Sequence, residues 1–185
     1  MSRLRNLPIR LIIVLVIGVP LAICGGIGAA FNYMMGDGML TLWSPVDAMI
    51  VVVDGGAPVA LAAGEHKGIT LTQGKHKLKA QTFLGTLESE VEITNGFDHF
   101  FWGGAKELCY VRANVTDFYY SKSGTSKLKA KFHGDEFVDV SSDYFSPEDM
   151  PRTIKSQTIY QVALFDCAVF EKSDLEVLQS AGLAE

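Results

Sequence analysis

Charge is missing from residues 11–35, where 25 consecutive side chains carry none, and Lys and Arg stay absent until Lys67. Soluble chain averages about a quarter charged residues, so the run stands apart from it. Cysteine is scarce as well, with only Cys24, Cys109 and Cys167, which excludes a disulfide-dense scaffold. His66, His76, His99 and His133 are scattered, with no closely paired His or Cys spacing and no His-Glu-x-x-His, so no metal site is expected. There is no phosphate-binding loop and no Gly-x-Ser-x-Gly elbow, so no catalytic residues and no cofactor are assigned. Positive charge is short where it would matter. After residue 36 there are 13 Lys and Arg against 21 acids, a net charge of −8. Nucleic acid, which is gripped through clustered positive charge, is excluded as a partner.

What is present begins with that uncharged run. Roughly 20 apolar residues cross a hydrocarbon core of about 30 Å as a helix, so residues 11–35 read as a transmembrane helix in the lipid bilayer. Its glycines and Pro20 would weaken a helix in water, but unsatisfied backbone is costlier in lipid than poor propensity. Gly18, Ala22, Gly26 and Ala30 recur at every fourth position and form a ridge for helix packing, where a partner's span could approach closely. Arg3, Arg5 and Arg10 precede the run and Asp37 follows it, which places residues 1–10 in the cytoplasm and the rest outside. A cleaved signal peptide has a shorter apolar core, so a signal-anchor is favoured. The expected location is a bacterial inner membrane, single-pass, with the C-terminal domain periplasmic or extracellular.

Beyond a linker at 36–44, the pattern is β. Trp43 reads either as a headgroup-level indole or as a packed strand residue. Residues 49–53 and 69–72 are short β-branched runs closed by glycine turns. Residues 75–83 and 86–93 alternate, with lysines on one strand and glutamates on the other. A hairpin turning on Leu84-Gly85 would set Lys79 opposite Glu90, Lys77 opposite Glu92 and Leu78 opposite Val91. Residues 108–120 alternate again, putting Cys109, Val111, Ala113 and Val115 on the buried face and Tyr110 and Arg112 on the other. Lys127, Lys129 and Lys131 flank an inward Leu128, Ala130 and Phe132. Residues 137–140 suggest a further strand, 142–152 a loop, and 154–170 one or two strands. Ser173-Asp174-Leu175-Glu176 has capping-box spacing, which predicts a helix from Asp174 to about Ala181 ended by Gly182.

Pro45-Val46-Asp47-Ala48, Val51-Val52-Val53-Asp54-Gly55 and Gly74-Lys75-His76 before an alternating strand together resemble the PEGA domain, over residues 45–96. Val46 and Asp47 depart from its eponymous motif. The resemblance implies a non-catalytic β-sandwich module of extracytoplasmic bacterial proteins, with no active-site residues to carry over.

The expected architecture is therefore one transmembrane helix, then a mainly β, antiparallel sandwich-like domain with a short C-terminal helix. Residues 45–102 form the PEGA-like part and 103–185 a second β-rich part, continuous with it or separate. Phe97, Phe100, Phe101 and Trp102 are either core or a candidate interface, with core favoured because large apolar residues are usually buried. Cys109 and Cys167 can pair in an oxidising compartment. The expected function is that of an accessory or structural protein, not an enzyme, which binds protein partners through its helix and β domain in a membrane complex. The alternative is a tethered enzyme or small-ligand receptor with a site near residues 97–102.

Overall fold

The computed structural model describes residues 36–120, 126–140, 143–145 and 158–185. The 1–10 tail and the 11–35 run, with its Gly18, Ala22, Gly26 and Ala30 ridge, lie outside the described residues. Among the described residues no helix is long and apolar enough to cross a membrane. The chain beyond residue 36 is mainly β and ends in a short helix, in line with its alternating patterns.

The strands in chain order are β1 (Gly38–Ser44), β2 (Met49–Val53), β3 (Val59–Leu61), β4 (Glu65–Leu71), β5 (Gly74–Thr82), β6 (Gly85–Ile93), β7 (His99–Trp102), β8 (Ala105–Asn114), β9 (Lys127–Gly134), β10 (Val138–Asp139), β11 (Asp143–Tyr144) and β12 (Tyr160–Phe165). Two short helices, α1 (Thr116–Tyr120) and α2 (Asp174–Ser180), complete the described elements together with a 3-10 turn at Cys167–Val169. The strands form three four-stranded sheets: a hairpin sheet β3-β2-β5-β6, a central sheet β4-β1-β7-β10 and a third sheet β9-β8-β12-β11. Pairing is antiparallel except between β1 and β7 and between β11 and β12.

Side-chain parity explains how the sheets stack. Leu40 and Leu42 of β1 and Trp102 of β7 point to one side of the central sheet, into a core shared with Met49, Val51, Leu78, Ala80 and Ile93 of the hairpin sheet. Trp43 and Phe101 point to the other side and meet Tyr110, Phe132 and Val162 of the third sheet. The far face of that sheet, carrying Cys109, Val111, Ala113 and Phe165, is covered by Val177 and Leu178 of α2. The order of layers is therefore hairpin sheet, central sheet, third sheet, helix. A strand covered on both faces needs apolar residues at successive positions, and β1 and β7 supply them.

Several expectations change in this frame. Residues 36–44 are not a linker: β1 is the strand through which the central sheet pairs with both β4 and β7, and Trp43 is buried. Successive apolar residues there look like a short greasy connector in sequence because both of their neighbours lie far along the chain. The Lys-Glu hairpin forms, but its loop is Phe83-Leu84, so Lys79 faces Glu88, Lys77 faces Glu90 and His76 faces Val91. The shift from the expected register is two residues, an even number, so every side chain keeps its face. Gly85 follows that loop at φ 134°, a conformation open to glycine.

β8 stops at Asn114 instead of running to residue 120. The Asn114 carboxamide oxygen accepts from the Thr116 amide at 3.0 Å and its hydroxyl at 2.6 Å, which turns the chain into α1. Tyr110 is buried, because the supposed outer face of β8 abuts the central sheet. Gly103 and Gly134 both press on its ring, where a Cβ would collide. In β9, pairing of Arg112 with Ala130 and of Ala113 with Leu128 leaves Lys129 as a bulge. Leu128 consequently packs on the helix side, whereas Ala130 and Phe132 pack on the central-sheet side. The lysines do not share one face. Residues 154–170 yield one described strand, β12, and then the 3-10 turn. The helix forms as expected, with Ser173 as N-cap, Glu176 completing the capping box and Gly182 at φ 69°.

Candidate interaction surfaces

The residues expected to form an interface divide. Phe101 and Trp102 are fully buried, so they are core and line no surface, while Phe100 is half-buried against the hairpin-sheet core. Phe101 meets Tyr110 edge-on at 5.1 Å and stacks on Phe145 at 5.4 Å. Trp102 stacks on Phe137 at 5.5 Å, and its indole N–H donates to the Asp135 carbonyl at 3.2 Å. Phe97, by contrast, is 62% exposed.

Phe97 is presented by a firmly built turn. The Asp98 carboxylate accepts from the Thr94 amide and hydroxyl and from the Asn95 amide and side chain. Burial alone would raise the Asp98 pKa, but the bonds from Thr94 and Asn95 outweigh it and hold it below its ordinary value. The Phe97 amide donates to Asn95 Oδ1, and Met39 N–H bonds to Asp98 O at 2.9 Å. The turn is thus stapled to the first residues of β1. Met39, 44% exposed, lies beside Phe97 at a cleft of about 310 Å³ that also involves Asp37, Thr70 and His99.

A second apolar patch lies at the far end of the same strands. Phe83 and Leu84 at the tip of the β5-β6 hairpin are 60% and 39% exposed, and Val46 shares a crevice with them. Gly74 pairs with Ile93 and Ile93 packs on Gly38, so the hairpin starts at the chain-entry end. The nine residues of β5, at about 3.3 Å each, carry its tip roughly 30 Å away. Periodicity does not flag this patch, since Phe83 reads as the last residue of a strand and Leu84 as half of a turn with Gly85 until the register is known.

The remaining chemistry-bearing groups are engaged locally. His76 Nδ1 meets Asp54 Oδ2 at 2.7 Å and its Nε2 meets the Thr72 carbonyl at 2.7 Å, while Asp54 Oδ1 accepts the Lys77 amide at 2.8 Å. The Asp54 hydrogen bond, then the Thr72 carbonyl, raise the His76 pKa against a smaller opposing effect of burial. The same pairing with His76, then the Lys77 amide, depresses that of Asp54. His99 bonds Thr41 Oγ1 at 3.0 Å. Lys79 and Glu88 pair at 2.8 Å across the exposed hairpin face, and Lys75 reaches Glu90 at 3.2 Å. Cys109 and Cys167 are bonded to each other, with their Cα atoms 5.3 Å apart. An apolar cleft of about 420 Å³ opens between Val115, Phe118, Tyr119 and Leu183. Among the described residues, neither this cleft nor the one at Phe97 gathers a nucleophile, a base and an orienting group of the kind catalysis needs.

The fold and its surfaces define a class only, a three-sheet β domain backed by a helix and carrying apolar patches at both ends. No family model, no curated protein and no solved structure matches the chain.

Proposed function

We propose that this chain is a single-pass membrane-anchored accessory or structural protein of the bacterial envelope, held in the inner membrane by residues 11–35 with its N-terminus in the cytoplasm. Its β domain, on the outer side, docks onto another envelope protein as a subunit of a membrane complex. The observation that carries the reading is the uncharged run of 25 residues, followed three residues later by β1. Such a run is favourable in lipid and costly in water. The densely packed interior of the β domain and the self-contained hydrogen bonding of its His and Asp groups support a docking role over a catalytic one. The PEGA-like character of residues 45–96 fits the same role.

On this reading the Met39 and Phe97 end adjoins the bilayer, and the Phe83-Leu84 tip reaches away from it toward a partner. An exposed apolar patch of this kind marks an interaction site. The test has two parts. A reporter fused after Glu185 is expected to be active outside the cytosol, and activity only inside it refutes the topology. In mild detergent the chain is expected to co-purify with a defined partner, and Phe83→Ser with Leu84→Ser to reduce that recovery severalfold. The same double change should shift stability by no more than about 0.5 kcal/mol per residue, as exposed substitutions do. Recovery of a lone monomer overturns the docking role.

A further inference from the structure

Three ligand-capable side chains meet on the helix side of the third sheet. Cys109 Sγ, Cys167 Sγ and a ring nitrogen of His133 all lie within 4.8 Å of one another. The fold brings them from three separate elements, since His133 of β9 is the cross-strand partner of Cys109 in β8 and Cys167 opens the 3-10 turn after β12. Sequence spacing of 24 and 34 residues hides the group.

The surroundings hold the imidazole in place. His133 Nδ1 sits 3.5 Å from Cys109 Sγ, and the ring stacks on Phe170 with centroids 4.6 Å apart and planes 10° from parallel. Phe170 is itself fixed by Lys131, whose ammonium lies 5.2 Å from the ring centroid and donates to the Phe170 carbonyl. The His133 amide donates to Glu136 Oε1 at 2.9 Å. Cys109 is buried on β8, whereas Cys167 is exposed at the start of the 3-10 turn.

We propose that Cys109, His133 and Cys167 form a redox-gated Zn²⁺ site, closed while the two sulfurs are bonded to each other and opened by a dithiol reductant. One thiolate of the reductant attacks the exposed Cys167 Sγ, the S–S bond breaks, and Cys109 leaves as the thiolate beside His133. The second thiol of the reductant then attacks the mixed disulfide and releases Cys167. Two electrons and two protons pass to the cysteines, and the reductant becomes a disulfide. Zn²⁺ displaces the two thiol protons and takes both sulfurs and Nδ1. Zn–S bonds of about 2.3 Å and a tetrahedral angle require the sulfurs to part to about 3.8 Å, which rotation of the Cys167 side chain provides. A Cys₂His set leaves a fourth position for water or an incoming ligand.

The experiment uses the full chain carrying Cys24→Ser, in mild detergent and without oxygen, with dithiothreitol added and then removed before Co²⁺ is titrated in as the spectroscopic probe. The expected result is one equivalent bound, a thiolate-to-metal charge-transfer band, the intense visible bands of tetrahedral Co²⁺, and loss of all of these on adding Zn²⁺. The unreduced chain should show none of them. His133→Ala should weaken binding about tenfold or more, because an imidazole ligand is lost, while leaving the far-ultraviolet circular dichroism of the reduced chain unchanged. Equal affinity in His133→Ala would mean simple dithiol chelation and would overturn the site. So would absence of the charge-transfer band, or loss of the β signature on reduction.

Discussion

At the scale of single residues, the best-defined polar unit is His76 with Asp54 and the Thr72 carbonyl. Asp54 takes φ 52°, a conformation that Asp tolerates better than most residues, and this aims its carboxylate at the imidazole. A histidine whose folded pKa is raised adds stability that is fully present below its unfolded value, ordinarily 6.5, and is lost as pH rises through the folded one. A depressed aspartate pKa adds stability above its ordinary 3.8 that is lost as pH falls through the folded value. The pair therefore stabilises most between about pH 4 and pH 6.5. Melting temperatures taken from pH 5 to pH 8 are expected to fall more steeply in the natural chain than in His76→Gln. Parallel profiles would show that the pair is not coupled to folding.

At the scale of elements, β7 shows both how much the sequence displays and where it stops. Its run of aromatics is conspicuous, but periodicity alone cannot separate a strand covered on both faces from an exposed patch. The parallel pairing with β1, some 60 residues earlier, decides the matter. Phe101→Ala is accordingly expected to cost about 3–5 kcal/mol in urea unfolding, and Phe97→Ser within about 0.5 kcal/mol. Comparable losses would place Phe97 in the core as well. Where neighbours are close in the chain, the residues already specify the outcome: the Ser173 and Glu176 caps fix α2, and alternation fixes the faces of β5 and β6. Long-range relations stay hidden. The Lys129 bulge reverses the faces of β9 with nothing in the lysine spacing to announce it, and the His133 group is assembled only by pairing and layering. The same bulge also twists an edge strand, a device that discourages pairing with other chains.

At the scale of the whole molecule, the Cys109–Cys167 bond spans a sequence separation of 58 and ties β8 to the turn before α2. In the chain-entropy account, a loop of that length contributes about 4 kcal/mol by restricting the unfolded chain. Cys167→Ser is expected to lower the urea midpoint by a corresponding amount, and the difference should vanish when the natural chain is measured under reducing conditions. A persisting difference would assign the effect to packing. The doubly covered central sheet has a wider implication. It draws β1, β4 and β7 from before residue 103 and β10 from after it, and each of its faces seals a different core. Division of the chain near that point would leave a greasy plane open on both fragments, so gene shuffling is expected to carry residues 38–185 as one indivisible cassette.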